Sequence, residues 1–286
     1  MLVLALGGNA LSPPGHADLD YAAERSIVAQ TGRALTQLAS RQYRLIIVHG
    51  NGPQVGRLLR SDPDVDPAAQ SNLDIRVAQT QGELGYLLMK AIDAPVACLV
   101  TRVLVGDDPG PPLKPIGPIL RSLTDHRTAV TQVAGGWRQI VSSPRPIDIL
   151  ETDAIAALLP THHVIVGGGG GVPLTADGTP ISAVVDKDWV ASLLAVALDA
   201  QHLVFATDVD GVFEGFGEAS ARPLDRLSLD HGRRMLRAGS LGAGSMAPKV
   251  ESALDYVAAT GRTARICALR DIRGALAGGD AGTVVG

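Results

Sequence analysis

Glycines follow three apolar runs of the sequence, where they could bind an anion. Glycine lets backbone N–H groups approach an anion closely, and turn amides and helix N-termini supply partial positive charge. In an open parallel sheet, ligands bind at the carboxyl ends of the strands. Each loop alone is equally explained by a steric need for glycine at a turn, but the three together predict one shared phosphate site. The three groups are Gly7-Gly8-Asn9, Gly50-Asn51-Gly52 and the run Gly167 to Gly171.

Lysines are few, and three of them stand where they could serve phosphoryl transfer, which needs positive charge near the moving group. Lys187 and Lys249 each lie in the first turn of a predicted helix. A helix start usually favours acids, so lysine there is informative. Lys114 lies in the proline-rich segment 113–118. Taken singly, each lysine could also be a solvated surface charge, which is how Lys90 is interpreted.

Other catalytic motifs are missing. A P-loop needs Gly-Lys after its glycines, and that dipeptide never occurs in the chain. The dinucleotide fingerprint G-x-G-x-x-G fails after every strand, since at the glycine run its last position falls on Val172 or Pro173. No H-E-x-x-H cluster is present, so no protein metal site is predicted, and His162-His163 is interpreted as a solvated turn.

Composition narrows the class of protein further. The chain has 286 residues, 46% of them hydrophobic but only 3% aromatic, so a large aliphatic core is expected. A formal net charge of −4 without long runs of one sign argues against nucleic-acid or membrane-surface partners. No stretch reaches the roughly 18 apolar residues of a membrane span, and the first residues do not resemble a signal peptide. Cys98 and Cys267 are interpreted as buried core residues, and a cytoplasmic enzyme is expected.

Strand and helix signals alternate along the chain, which predicts a mainly parallel sheet covered on both faces by helices. Short continuous apolar runs predict strands buried on both faces. Ser245 followed by Pro248 predicts a helix cap and first turn. The predicted strands are 2–6, 45–48, 96–100, 161–166, 203–206, 265–268 and 283–285, with a hairpin of 172–174 and 181–185. The predicted helices are 20–40, 74–90, 186–200 and 245–259.

The segment 102–147 interrupts this alternation with many prolines and no clean period. A structureless loop of that length would be unusual inside a compact domain. We therefore expect a small protruding subdomain or lid, with a flexible insertion as the alternative. The chain is expected to form one domain over 1–286. An acceptor-binding lobe at 1–166 includes the lid, and a nucleotide-binding lobe follows at 167–286.

These segments together resemble carbamate kinase, a member of the amino-acid kinase superfamily. They follow the family's order and span almost the whole chain. His49-Gly-Asn-Gly-Pro-Gln-Val-Gly56 and Lys114-Pro-Ile-Gly-Pro118 are specific, whereas the glycine run alone is not. The other matching segments are Ala5-Leu-Gly-Gly-Asn-Ala10, Thr80-Gln-Gly82 with Gly85-Tyr86, Gly136-Trp-Arg138, Pro144-Arg-Pro-Ile-Asp148, Asp186-Lys-Asp188, Gly244-Ser-Met246 with Pro248-Lys249, and Gly282-Thr-Val-Val285.

The resemblance implies an αβα sandwich with a mainly parallel central sheet and a protruding lid. It implies the reversible reaction of ATP with carbamate to give ADP and carbamoyl phosphate. Mg²⁺ is expected to bridge the nucleotide phosphates, and the family is typically homodimeric. A place in arginine metabolism is implied as well.

The resemblance also assigns roles by position. Lys114, Lys187 and Lys249 would neutralise the phosphates, and Asp188 would organise the lysines. Many superfamily members carry a lysine two residues before the first Gly-Gly pair. Carbamate kinases have alanine there, as this chain does at Ala5, so the resemblance implies that Lys114 supplies the missing positive charge. The substrate-binding positions are Gly7, Gly8, Asn9, Gly50, Asn51, Gly52, Gly168, Gly169 and Gly170. The nucleotide-binding positions are Lys187, Thr207, Asp208, Val212, Met246 and Lys249.

Three features depart from the family pattern. The lid is shorter than usual, and Arg145 stands where lysine is common. The segment Thr207-Asp-Val-Asp-Gly211 reads more like the nucleotide-binding strand of other superfamily kinases. A kinase of the same fold for another small carboxylate, phosphate or phosphonate therefore stays an alternative, as does a sensor that binds nucleotide or carbamoyl phosphate without catalysis.

Overall fold

A computed structural model describes residues 1–12, 21–39, 43–60, 72–120, 129–133, 135–218, 220–241 and 245–286, with the backbone alone for residues 9, 60, 118 and 120. Strands and helices alternate through most of this length. The strands are β1 (Leu2–Leu6), β2 (Leu45–His49), β3 (Val96–Cys98), β4 (Arg102–Val105), β5 (Pro112–Leu120), β6 (Val130–Val133), β7 (Gly136–Ser142), β8 (Pro146–Ile149), β9 (His163–Val166), β10 (Val172–Leu174), β11 (His202–Thr207), β12 (Phe213–Glu214), β13 (Arg222–Pro223), β14 (Arg226–Leu227), β15 (Ala264–Ala268) and β16 (Thr283–Val285).

Helices connect most of the strands of the central sheet. The helices are α1 (Tyr21–Ala39), α2 (Gly52–Arg60), α3 (Leu73–Ala91), α4 (Thr152–Leu158), α5 (Lys187–Ala197), α6 (Leu229–Ala238), α7 (Met246–Thr260) and α8 (Ile272–Leu276). Three short 3-10 turns lie at Gly8–Ala10, Gly168–Gly170 and Leu269–Asp271. None of the described helices is both long and apolar enough to cross a membrane.

The central sheet has eight strands in the order β14-β16-β15-β11-β1-β2-β9-β3. Among the described strands of this sheet, β15 and β16 are the only antiparallel neighbours. Strands β1 and β2 are fully buried because helices cover both faces, so their side chains alternate between two cores. Val3 and Ile46 face the core under α5 and α7, whereas Leu4 and Ile47 face the core under α1 and α3. The predicted mainly parallel α/β fold is confirmed.

The predicted strands and helices of this layer are also confirmed within a few residues. The predicted hairpin of 172–174 with 181–185 forms only at its turn. Pro180 bridges Leu174 and Ile181 donates its N–H to the carbonyl of Pro173 (3.0 Å), but residues 181–185 form no strand. Val184 instead donates its N–H to the carbonyl of Ser142 (3.0 Å) in β7. The chain there joins the base of another sheet before it enters α5.

The proline-rich segment folds into two small sheets. Strands β5, β7 and β6 form an antiparallel sheet in that order, while β4 lies between β10 and β8. In its described residues the segment is therefore not a structureless insertion. Prolines fit within β5 because it is an edge strand, where a missing N–H on the outer side costs no ladder bond. The division into two functional lobes and the role of the segment as a lid stay predictions.

Candidate active site

Three of the four lysines in the chain lie on one pair of aspartates. Lys187 Nζ donates to Oδ1 of Asp188 (3.0 Å), and Lys249 Nζ donates to Oδ2 of the same carboxylate (3.0 Å). Lys114 Nζ reaches Asp186 Oδ2 (3.1 Å) and the carbonyl of Val185 (2.9 Å). The fourth lysine, Lys90, is exposed at the end of α3. The four predicted catalytic residues are thus brought together, and Asp186 joins them.

The start of α5 explains why both carboxylates lie here. Asp186 is the N-cap of the helix, and its Oδ1 accepts the backbone N–H of Asp188 (3.0 Å). An N-cap acid satisfies an otherwise free amide of the first turn and interacts favourably with the helix dipole. Its second oxygen is left for Lys114. Ser245 is the N-cap of α7, as predicted, but it makes no side-chain cap bond; its carbonyl accepts from Lys249 (3.3 Å) instead.

Burial and charge act against each other in this cluster. Burial alone would raise the pKa of Asp186, but the charges of Lys114 and Lys187 outweigh it and hold that pKa below its usual value. Burial would lower the pKa of Lys187, yet the two aspartates raise it overall. For Lys249 and Lys114 burial dominates, and each pKa is lowered. Three ammonium groups against two carboxylates leave positive charge for an anionic ligand.

The first two glycine loops meet beside Lys187. A Cβ added to Gly50 would lie 3.5 Å from Cδ of Lys187 and 3.9 Å from Cα of Gly8. Gly50 donates its N–H to the carbonyl of Leu6 (3.3 Å), which ties the loop after β2 to the end of β1. Gly52 is the first residue of α2. The side chain of Asn9 lies outside the described residues.

The third glycine loop lies behind the second. Gly168, Gly169 and Gly170 are buried, and a Cβ on Gly169 (φ +64°) would lie 2.0 Å from Nδ2 of Asn51. Asn51 is 2% exposed and donates through Nδ2 to the hydroxyl of Thr80 (2.8 Å). The glycine run therefore makes space for the Asn51 side chain. Whether these three glycines contact a substrate directly stays a prediction.

His49 packs against the same run. A Cβ on Gly168 would approach its ring within 2.6 Å, and its Nδ1 lies 3.1 Å from the carbonyl oxygen of Gly50. Burial lowers the pKa of His49 to about 4. The ring is therefore neutral at neutral pH, and it supports the loop rather than adding charge to the site.

A cleft of about 470 Å³ opens from the lysine cluster toward the end of β11, within the size range of small-molecule sites. Three predicted nucleotide positions line it, namely Thr207, Asp208 and Lys249. Met246 is partly buried against the core, and Val212 is fully buried, with its N–H bonded to Thr283 Oγ1 (2.8 Å). Neither is part of the cleft lining, which consists of Gly7, Gly8, Ala10, Ala206, Thr207, Asp208, Ser245, Lys249, Ala268, Leu269 and Arg270.

Arg270 is a lining residue that the sequence interpretation missed. It lies in the turn after β15, the strand beside β11, and pairs with Asp210. The rule that ligands bind at the carboxyl ends of parallel strands would have identified this position.

The antiparallel sheet β5-β7-β6 reaches the site through a contact between two glycines. A Cβ on Gly56 of α2 would lie 2.0 Å from Cα of Gly117 in β5. Arg138 of β7 donates to the carbonyl of Gly117 (3.0 Å) and supports the strand from the other side. This close approach places Lys114, three residues earlier, on Asp186. The base of the segment is fixed by Arg145, which pairs with Glu251 (2.6 Å) of α7.

The comparisons with known proteins agree with this geometry. Residues 1–268 match the model of the amino acid kinase family. The carbamate kinase of Escherichia coli is 40% identical over 302 residues, which cover 99% of this chain and 98% of that protein. The chain belongs to the amino acid kinase family, in its carbamate kinase branch.

Other members of the family support the same placement. The carbamate kinase of Halobacterium salinarum is 36% identical and covers 99% of this chain, with 97% of its own length aligned. A solved structure of carbamate kinase from Giardia lamblia bound to AMP-PNP has a TM-score of 0.86 at 31% identity, covering 99% of this chain and 97% of that one. The predicted resemblance, and with it the prediction of a phosphotransferase of this family, is confirmed.

Proposed function

We propose that this protein catalyses reversible phosphoryl transfer between ATP and carbamate, giving ADP and carbamoyl phosphate. The convergence of Lys114, Lys187 and Lys249 on Asp186 and Asp188 carries the proposal. Lys187 lies beside the Gly50 loop, and Lys249 lines the cleft at the end of β11, which the Gly8 loop lines as well. The acceptor would bind at the loops and the nucleotide in the cleft.

The chemistry needs alignment and charge neutralisation rather than a covalent enzyme intermediate. A carbamate oxygen is already anionic, so it attacks the terminal phosphorus of ATP without a general base. The bond from that phosphorus to the bridging oxygen breaks, and ADP leaves with the electron pair. Lys187 and Lys249 would offset the negative charge of the phosphoryl oxygens, and Asp188 would hold both ammonium groups on one side of the path.

Lys114 would supply the charge that other superfamily members take from a lysine in the first glycine loop. Its side chain is 23% exposed, and its ammonium group bonds only the carbonyl of Val185 and Asp186 among the described residues. An incoming phosphate could share this group. Mg²⁺ would enter with the nucleotide as part of the substrate and would offset further negative charge of its phosphates.

A second copy of the chain is the expected partner. Helix α3 exposes Ile75, Tyr86 and Met89, at 49%, 62% and 40%. Their spacing places them on one face of the helix, beside the sheet edge formed by β3. A second copy of the chain would bury this exposed apolar face, which supports the homodimer implied by the resemblance. Light scattering that gives the molar mass of a single chain would contradict it. The cytoplasmic location and a place in arginine metabolism stay predictions.

The deciding experiment is ATP formation from ADP, Mg²⁺ and carbamoyl phosphate, with acetyl phosphate for comparison. We expect turnover with carbamoyl phosphate. A folded sample that binds ADP without turnover would contradict the proposal and favour the sensor, whereas faster turnover with another acyl phosphate would favour another acceptor.

Substitution of Lys114 tests its role directly. Lys114→Ala removes one positive charge from the path of the phosphoryl group, so we expect kcat to fall by about 10²-fold or more, with ADP binding nearly intact. Lys90→Ala removes an exposed lysine and serves as the matched control. Wild-type turnover in Lys114→Ala would remove this lysine from the mechanism.

A further inference from the structure

A buried polar network outside the proposed chemistry joins the two acceptor loops. It consists of Ser12, Glu24 and Gln54, whose exposed fractions are 3%, 0% and 1%. Gln54 Nε2 donates to the hydroxyl of Ser12 (2.6 Å) and to Oε1 of Glu24 (2.5 Å). Both hydrogens of its amide nitrogen are thereby used.

The three residues come from different elements. Gln54 lies in the first turn of α2, four residues after Gly50. Ser12 follows the 3-10 turn that begins at Gly8, and its N–H bonds back to the carbonyl of Gly8 (3.0 Å). Glu24 lies in the first turn of α1. The Gln54 side chain therefore connects the loop after β2 to the loop after β1.

The carboxylate in this network is costly for the fold. Oε2 of Glu24 is buried and has no hydrogen-bond partner in the described part of the chain. Burial raises the pKa of Glu24, and the nearby Glu83 raises it further, while Gln54, Arg57 and Ser12 oppose them. A buried, half-satisfied carboxylate is a poor way to stabilise a fold, since apolar residues of similar volume would serve better. Its gain is orientation, because a charge-assisted bond holds the Gln54 amide in one direction.

We infer that Gln54 is a positioning residue for the acceptor, oriented by Glu24, and that it fixes the separation between the Gly8 and Gly50 loops. The inference rests on the proposed function, because it assigns those loops to the carbamate end of the substrate. The two loops lie side by side, since a Cβ added to Gly50 would be 3.9 Å from Gly8 Cα, at ordinary van der Waals range, and the Gly50 N–H bonds the carbonyl of Leu6 (3.3 Å). A small shift of either loop would therefore misalign an acceptor held between them.

The test first removes the hydrogen-bond donor at residue 54 and then restores the hydrogen bond with donor and acceptor exchanged between residues 24 and 54. Gln54→Glu removes the amide hydrogens and places a second carboxylate against Glu24. We expect the KM for carbamoyl phosphate to rise about tenfold or more and the KM for ADP to rise less, since the acceptor contacts both loops whereas only the Gly8 loop lines the nucleotide cleft. In the double variant Glu24→Gln with Gln54→Glu, residue 24 donates to residue 54, and we expect most of the KM to be recovered. Gln30→Glu, an exposed glutamine of α1, is the matched control.

A smaller change covers the case in which Gln54→Glu does not fold. Ser12→Ala removes the hydroxyl oxygen that accepts one hydrogen bond from the Gln54 amide, and we expect the KM for carbamoyl phosphate to rise about threefold. Unchanged KM values in a folded Gln54→Glu variant would overturn the inference, even if that variant unfolds at a lower urea concentration. If Gln54→Glu does not fold, unchanged KM values in Ser12→Ala would overturn it instead. Absence of turnover in the wild type would instead reject the proposed function.

Discussion

Gly169→Ala tests whether the glycine run exists to admit Asn51. Gly169 has φ +64°, a left-handed conformation that costs an alanine about 1–2 kcal/mol. The new Cβ would also lie 2.0–2.2 Å from three atoms of the Asn51 amide group, closer than any real contact. Asn51 must then leave its buried bond with Thr80, which adds about 1–3 kcal/mol.

The expected loss is about 2–5 kcal/mol of the free energy of unfolding, a large part of the 5–15 kcal/mol typical of a domain. Urea unfolding followed by circular dichroism measures it. Because Asn51 belongs to the predicted acceptor loop, the KM for carbamoyl phosphate should rise as well, by about tenfold.

Gly178→Ala is the matched control for backbone strain. Gly178 has φ +85° in the turn after β10, and an added Cβ meets nothing within 4 Å. We expect it to lose only about 1–2 kcal/mol, with both KM values unchanged. Equal unfolding free energies for the two variants, together with an unchanged acceptor KM in Gly169→Ala, would refute the argument.

Two further predictions concern contacts around the site. Gly56→Ala should displace Gly117 and with it Lys114, so steady-state kinetics should show kcat lowered by about tenfold or more at unchanged ADP binding. Gly82→Ala is the control, because an added Cβ at this helical position meets nothing. Equal kcat in both variants would show that the contact of Gly56 with Gly117 does not position Lys114. His49 has its pKa lowered to about 4 in the fold, so it adds stability above its unfolded pKa of about 6.5, and that stability is lost as the pH falls from there toward 4. His49→Gln should therefore reduce the acid dependence of urea unfolding by up to about 3 kcal/mol. An unchanged pH profile would show that the pKa of His49 is the same in the folded and the unfolded chain, which would contradict the prediction.

The elements of the central sheet follow from local sequence. Continuous apolar runs such as 2–6 and 45–48 specify strands buried on both faces, because no polar side chain in them has to reach water. Glycines at their ends and lysines at helix starts were visible for the same reason, since each is a property of a few neighbouring residues. These local signals, with the residue sequences of the motifs, identified the family and its fold.

A folded subdomain was expected in the proline-rich segment, but its strands were not predicted from local sequence. Its prolines argue against strands in general, yet β5 is an edge strand in which they fit. Whether a strand lies at an edge depends on what packs beside it. The same limit applied to 181–185, where the bond of Val184 to Ser142 replaced the outer part of the expected hairpin.

The sequence by itself determined the fold, the family and the positions of four candidate catalytic residues. Only the tertiary structure joined Lys114 to Asp186 across 72 positions, and Lys249 to Asp188 across 61. It likewise revealed the contact of Gly169 with Asn51 and the amide of Gln54 between Ser12 and Glu24. Local propensity extends over one or two turns of chain, whereas these pairings depend on strand order, register and the packing of helices against both faces of the sheet.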